Sequence, residues 1–457
     1  MGIDVAPAQL SNGNGLNTPL VSVYTRRWLV LGSFCLLSLM NGMQWVQYAI
    51  ISDSVAKFYD VSPQAVDWAS MIYMLTYIPF ILPASWMLDN KGLRCTVLLA
   101  GALNCLASWV KAASGQRDLY AVTMAGQTLA GITQAFILAV PSRLAAVWFG
   151  PGEVATACAI GVFGNQVGNA VGFLVPPLIV SGYETMDDLG FQLRTVFYGV
   201  AGVSTFSLLL LLAVFQDAPL VPPSIAQARV LSSRTDRSSN WELLQSMRRM
   251  MRTPGFGLLV ISYGISVGVY YAISTLLNAL IKSVFKAENS TDAGNIGLLI
   301  VVAGLLGSLL CGLLLDVTRK YKEVTLSIYL LSFGGMIAFA ASFYSSSIWM
   351  LYISGSFLGF FLTGYLPLGF ELAAELTYPE PEGTSAGLLN VSAQVFGLIF
   401  SELCGLPLEV DNATGAHLWV NASLCAALCL GSVLTALVPG TLRRQAAQSS
   451  CMPPESR

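Results

Sequence analysis

The sequence predicts an all-α polytopic membrane protein with twelve transmembrane helices in two pseudosymmetric six-helix halves. Three observations carry that prediction. Of 457 residues, 55% are hydrophobic and 11% charged, less than half the charged share of about a quarter that a soluble domain uses to cover its surface. The apolar residues gather into twelve runs, each close to the ~20 residues that cross a hydrocarbon core. Chemically matched residues also recur at a spacing near 227. With a mean hydropathy of +0.66, this composition excludes a soluble enzyme, a disordered scaffold and a disulfide-stapled secreted domain. The net charge of −2 excludes a basic nucleic-acid binder.

Residues 1–25 read as a cytoplasmic tail rich in Gly, Asn and Ser. They lack the basic-then-apolar order of a cleaved signal, so the first span is retained as an anchor. The N-terminal half, 26–215, holds spans at 28–51, 68–88, 93–113, 120–141, 154–180 and 194–215. A linker follows at 216–254, where Asn240 to Met251 reads either as a short amphipathic helix on the bilayer surface or as a solvated linker. The C-terminal half, 255–439, holds spans at 255–281, 294–315, 324–345, 348–372, 384–406 and 416–438, and 440–457 is a polar cytoplasmic tail.

Orientation follows from lysine and arginine. With both termini in the cytoplasm, 17 of the 23 basic residues fall inside, six of them in the linker. Those left outside are Lys57, Lys111, Arg117, Arg194, Lys282 and Lys286. The sequons at Asn289 and Asn412 fall in outer loops, where glycosylation is possible. Those at Asn390 and Asn421 fall in or near spans and read as fortuitous.

The repeat is read from turn motifs. Asp89, Gly92 and Arg94 follow the second span; Gly312, Asp316, Arg319 and Lys320 follow the eighth. Asp89 and Asp316 are 227 residues apart, Pro141 and Pro367 are 226 apart, and Gln166 and Gln394 are 228 apart. A near-constant offset is what a duplicated six-helix unit leaves. Glycine permits the tight turn, and the Asp and Arg can pair with each other or with a neighbouring helix end.

Twelve spans, two halves, a basic central linker and this turn resemble the major facilitator superfamily over residues 26–440. The motif there is Gly-x-x-x-Asp-x-x-Gly-x-Arg, and the first glycine of the N-terminal copy is Ser85 here. The resemblance implies a substrate site near the midplane between the halves. Polar groups there must face a cavity, because lipid offers them no partner.

Applying the offset within that frame yields two pairs. Trp45 of the first span maps onto Tyr271 of the seventh, 226 residues on, and Gln166 of the fifth maps onto Gln394 of the eleventh. For either aromatic the competing reading is packing or lipid contact. A lone amide in hydrocarbon has less room for such a reading. Two aromatics and two amides without a full charge suit a soft, poorly hydrated cation, above all a quaternary ammonium. Glu371 and Glu375, at the inner end of the tenth span, are a cytoplasmic gate or helix end in one reading and a proton relay in another. Asp53 reads as part of an outer gate or loop. No coupling-ion site stands out, so uniport is expected; an entering monovalent cation gains roughly 1–2 kcal/mol from the membrane potential. Gly161, Gly164, Gly168 and Gly172 form a small-residue ridge for close helix approach, ahead of Pro176 and Pro177. None of the nine cysteines forms a CxxC pair, so no metal site or cofactor is expected.

A closer resemblance lies with the feline leukaemia virus subgroup C receptor-related transporters, solute carrier family 49. It rests on Gln44 to Tyr48, Ala102 to Cys105, Val140 to Arg143, Val147 to Pro151, Gly164 to Gly168, Ser274 to Asn278, Gly364 to Glu371, Gly383 to Asn390 and Ser392 to Gln394. It implies a plasma-membrane choline transporter that also takes ethanolamine and acts as a monomer. In that family the choline headgroup is held at positions matching Trp45, Tyr271, Gln166 and Gln394. The family also carries a haem export or import reading and a retroviral-receptor reading. The single histidine, His417, is a poor basis for haem ligation. Leu403 to Val420 departs from the family pattern.

Overall fold

In the computed structural model, residues 22–150, 153–223, 240–253, 255–285, 291–318, 320–345, 347–378, 380, 382–409 and 415–440 are described. Twelve helices among them are long and apolar enough to cross a membrane. Spans one to six are Arg26–Tyr59, Pro63–Lys91, Leu93–Ala113, Tyr120–Trp148, Thr156–Ile179 and Met186–Val214; spans seven to twelve are Phe256–Phe285, Thr291–Leu315, Tyr321–Ser342, Ile348–Thr377, Gly383–Leu408 and Ala416–Leu437.

Several helices run further than the apolar runs suggest, because caps and prolines do not stop them where hydropathy does. Span two starts at Pro63, with the Ser62 side chain accepting from the Ala65 amide at 3.2 Å, the N-cap and N1 pairing that favours helix initiation. Span six starts eight residues before its apolar run, at a capping box of Thr185 and Asp188. Spans four and ten continue through Pro141 and Pro367 to Trp148 and Thr377, as membrane helices do when neighbouring groups take over the freed backbone. Span one is the exception. It breaks into Arg26–Val46, a 3-10 turn at Ala49–Ile51 and Ser52–Tyr59.

Packing repeats between the halves. Span one lies along five, two and three along four, and three along six; seven lies along eleven, eight and nine along ten, and nine along twelve. The glycine ridge explains the one–five contact. A Cβ on Gly168 would overlap the Leu39 carbonyl, and one on Gly172 would stand 2.8 Å from the Met43 carbonyl oxygen. In the other half the equivalent contact is made by glycines of the opposite partner, Gly264 and Gly268 of span seven against Phe396 of span eleven. The halves meet through spans five with eight and two with eleven. Gly294 and Gly297 of span eight lie against Phe173 of span five.

One apolar core joins both halves, from Tyr48, Ile51 and Val55 to Tyr270, Leu276 and Leu280. A second core, holding Val30, Phe34, Leu93, Val140, Trp148 and Phe215, gathers at the linker end of the N-terminal half. The halves are therefore fused at the end away from the linker. At that far end Asp53 accepts from Lys282 and from Asn278 Nδ2 (2.8 Å), Asn278 also donates to Ser52 Oγ at 3.0 Å, and Gln64 donates to Glu402 at 3.3 Å. Asp53 thus bridges the halves.

Asn240–Met251 is helical. It packs against spans eleven and seven. Glu380 receives Arg249 Nε at 2.7 Å, Arg249 Nη2 at 3.2 Å and Ser246 Oγ at 2.5 Å, so the helix is docked on the C-terminal half and not left as a solvated linker. Lys111, counted with the outside charges at the outer end of the predicted span 93–113, is 1% exposed within the last turn of span three.

Gly168→Ala is expected to cost about 1–3 kcal/mol by overpacking, read as a lower melting temperature. Gly199→Ala, at a position with open space around it, is expected to stay within about 0.5 kcal/mol of wild type. The Arg249 guanidinium and Ser246 hydroxyl hold the Glu380 carboxyl below the usual carboxylate range. The link is therefore fully present above about pH 4.3 and is lost as pH falls through the lowered value. At neutral pH, Glu380→Ala is expected to speed tryptic cleavage after Arg248, Arg249 and Arg252.

Candidate functional site

Each of the four residues picked out by the repeat lies within three residues of the midpoint of its span. Trp45 stands at the break in span one, one residue before the end of its first helical piece. A helix end leaves its last carbonyls without intrahelical partners. Here the Trp45 carbonyl accepts from Ser70 Oγ of span two at 3.1 Å. The Trp45 ring is 4% exposed and meets Tyr271 of span seven edge to face, with centroids 5.2 Å apart and planes at 76°. That contact joins the halves at mid-span.

Tyr271 is half-buried, and its side chain lies beside that of Gln394, which is 2% exposed. Behind the ring is Gly397: a Cβ there would stand 2.8 Å from Tyr271 Cδ2 and 3.0 Å from Met74 Sδ. The structure thus brings Trp45, Tyr271 and Gln394 together. Gln166 joins less directly. Its Oε1 accepts from Asn169 Nδ2 at 3.0 Å, and the Asn169 side chain lies near Tyr270, whose ring centroid is 6.0 Å from that of Tyr271.

Asn169, Tyr270, Met74 and Gly397 escape the offset filter because it returns only residues with a like partner in the other half. For Asn169 a signal existed: it lies three residues after Gln166, on the same helix face. An edge-to-face pair sets the edge of one ring against the face of the other. Such faces attract cations through the ring quadrupole, and the amides can meet a hydroxyl or amine tail.

The turn motif does other work. Gly92 joins spans two and three at φ +87, a conformation that glycine enters without penalty. A Cβ there would also strike Asp217 Oδ1 at 2.6 Å. Asp217, just past span six, accepts from the Arg94 backbone amide at 3.0 Å and so supplies an anion to the N-terminus of span three. Asp89 and the Arg94 side chain are exposed. The motif is thus completed by a residue of the span-six end that the sequence reading did not name. Glu371 is exposed and Glu375 is 2% exposed near the end of span ten. His417, at the start of span twelve, stacks on Phe343 with centroids 6.4 Å apart. Arg319, Asn289, Asn412 and the side chain of Asp316 lie outside the described residues.

Residues 30–401 match the family model described as Major Facilitator Superfamily. The chain is 48% identical over 440 residues to the choline/ethanolamine transporter flvcr2b of Danio rerio, covering 96% of this chain and 89% of that one. It is 48% identical over 431 residues to the choline/ethanolamine transporter FLVCR1 of Felis catus, covering 94% and 76%. It is 44% identical over 433 residues to the choline/ethanolamine transporter FLVCR2 of Homo sapiens, covering 95% and 81%. Among solved structures, a bacterial homologue of the human lysosomal transporter Spinster, inward-facing and unoccupied, superposes with a TM-score of 0.69 at 15% identity, over 94% of this chain and 99% of that one. A D-xylose–proton symporter gives 0.69 at 14% identity, over 91% and 99%. At such identities the structural likeness speaks for the fold alone.

The far-end bridge predicts a measurable opening. In Lys282→Ala, a cysteine placed at the buried Ser274 is expected to react faster with a membrane-impermeant maleimide than it does in the otherwise wild-type chain. An unchanged rate would show that Asp53 and Lys282 do not hold the far end closed.

Proposed function

The chain belongs to the major facilitator superfamily and, within it, to the feline leukaemia virus subgroup C receptor-related transporters, and from that premise we propose that it carries choline, and ethanolamine as a second substrate, across the plasma membrane. Transport is facilitative and proceeds by alternating access, with the linker end and both termini cytoplasmic and the chain acting as a monomer.

The observation that carries this reading is the Trp45–Tyr271 contact between the halves at mid-span. A trimethylammonium headgroup is large, soft and weakly hydrated, so aromatic faces replace its water at small cost, and a desolvated contact contributes up to about 2 kcal/mol. A guest held by Trp45 and Gln166 on one half and Tyr271 and Gln394 on the other touches both bodies of a rocking machine. Seating it displaces the rings from one another and so links occupancy to the closeness of the halves. The amides then receive the alcohol or amine tail. The names borne by the relatives support the substrate class. Asp89, Gly92 and Arg94, with Asp316 and Arg319 in the second copy, serve the linker-end hinge, Glu371 serves the gate there, and Asn289 and Asn412 are glycan acceptors.

Labelled choline uptake at equal surface expression tests the reading. Trp45→Ala and Tyr271→Ala are each expected to reduce uptake about 30-fold, the equivalent of ~2 kcal/mol. Removing sodium or collapsing the pH gradient is expected to leave wild-type uptake unchanged. Normal uptake in both mutants would overturn the aromatic site, and strict sodium dependence would overturn uniport.

A further inference from the structure

The N-terminal half buries a polar network that ends at the break in span one. Lys111 of span three donates to Gln127 Oε1 of span four at 2.8 Å. Gln127 is 0% exposed, and its Nε2 donates to the Gln44 carbonyl at 3.1 Å and to the Ala69 carbonyl at 2.9 Å. The Gln44 side chain donates in turn to Asn104 Oδ1 at 3.1 Å, and Asn41 donates to the same oxygen at 3.2 Å. The Lys111 ammonium lies 5.9 Å from the centroid of the Tyr48 ring, and its stem runs over Gly126, where a Cβ would stand 2.5 Å from Lys111 Cγ.

The chemistry of the donors fixes this arrangement. A lysine only donates and a carbonyl only accepts. The Gln127 amide must therefore turn its oxygen to Lys111 and its NH2 to the two carbonyls. The Gln44 carbonyl is one of those released where the first helical piece ends at Val46, and it precedes Trp45 in the chain. A lysine buried to 1% exposure is costly. A methionine would fill the same space, so packing alone does not account for an ammonium there.

We propose that Lys111 is a positioning residue for the substrate site: by orienting the Gln127 amide it anchors the Gln44 carbonyl at the break and so sets the place of the Trp45 ring. The effect on transport rests on the reading that Trp45 holds the onium headgroup. The effect on the backbone does not.

Two measurements on the full chain separate these. In Lys111→Met the donor is lost and the stem kept. In Gln127→Glu the acceptor for Lys111 is kept and the N–H donors to the carbonyls are lost. Hydrogen exchange without substrate is expected to quicken over residues 44–51 in both variants and to stay near wild type in Lys111→Arg, which still donates. Choline uptake in both variants is expected to show KM raised about ten-fold, with Vmax per surface molecule within about two-fold of wild type. A purely structural role would lower melting temperature or surface level while leaving KM and the 44–51 exchange unchanged, and that result overturns the proposal. Faster exchange at 44–51 with normal choline KM in both these variants and Trp45→Ala would uphold the anchoring and overturn the substrate reading instead. If Lys111→Met does not reach the membrane, Gln127→Glu alone decides.

Discussion

A backbone carbonyl in hydrocarbon has no water to turn to, and span one leaves carbonyls in need of partners where it breaks at mid-span. The architecture around it follows from that constraint. Ser70 of span two takes the Trp45 carbonyl and Gln127 of span four takes that of Gln44, so the break is held by two neighbouring helices. Because it is held, Trp45 can stand at the break and reach the opposite half.

Where spans one and seven meet, the two halves touch through residues that are copies of one another. Trp45 touches Tyr271, and Ser52 accepts from Asn278; each pair is separated by 226 residues. Equivalent positions of a duplicated unit touch only where the two copies cross on their common axis. Spans one and seven cross there, with a ring pair at mid-span and a polar pair beyond it. Gln166 and Gln394, 228 residues apart, lie off that axis, so each has different neighbours: Asn169 for one and the Tyr271 side chain for the other.

The split between the apolar cores gives the fold its direction. At the far end a single core and the Asp53–Lys282 pair join the halves. At the linker end the N-terminal half keeps its own core, while the helix Asn240–Met251 is tied to the C-terminal half through Glu380. Any motion that opens the far end has to give up polar bonds there.

The sequence by itself determined the class and the twelve spans, and its repeat pointed to four residues that the structure places near the middle of their spans. Each of these follows from local or periodic chemistry: hydrocarbon demands long apolar runs, and a duplicated gene leaves a fixed offset. Helix ends were less legible. Caps such as Thr185 with Asp188 and the helical passage through Pro141 depend on hydrogen bonds that hydropathy does not register. Only the tertiary structure decided what Lys111, Asp217 and Glu380 do. Lys111 reads as a cation at the outer end of span three until spans three and four enclose it, Asp217 becomes a cap only when span six ends beside span three, and Glu380 becomes an anchor only when the linker helix folds back. Each of these roles needs a partner far away in the chain, and no periodicity announces it.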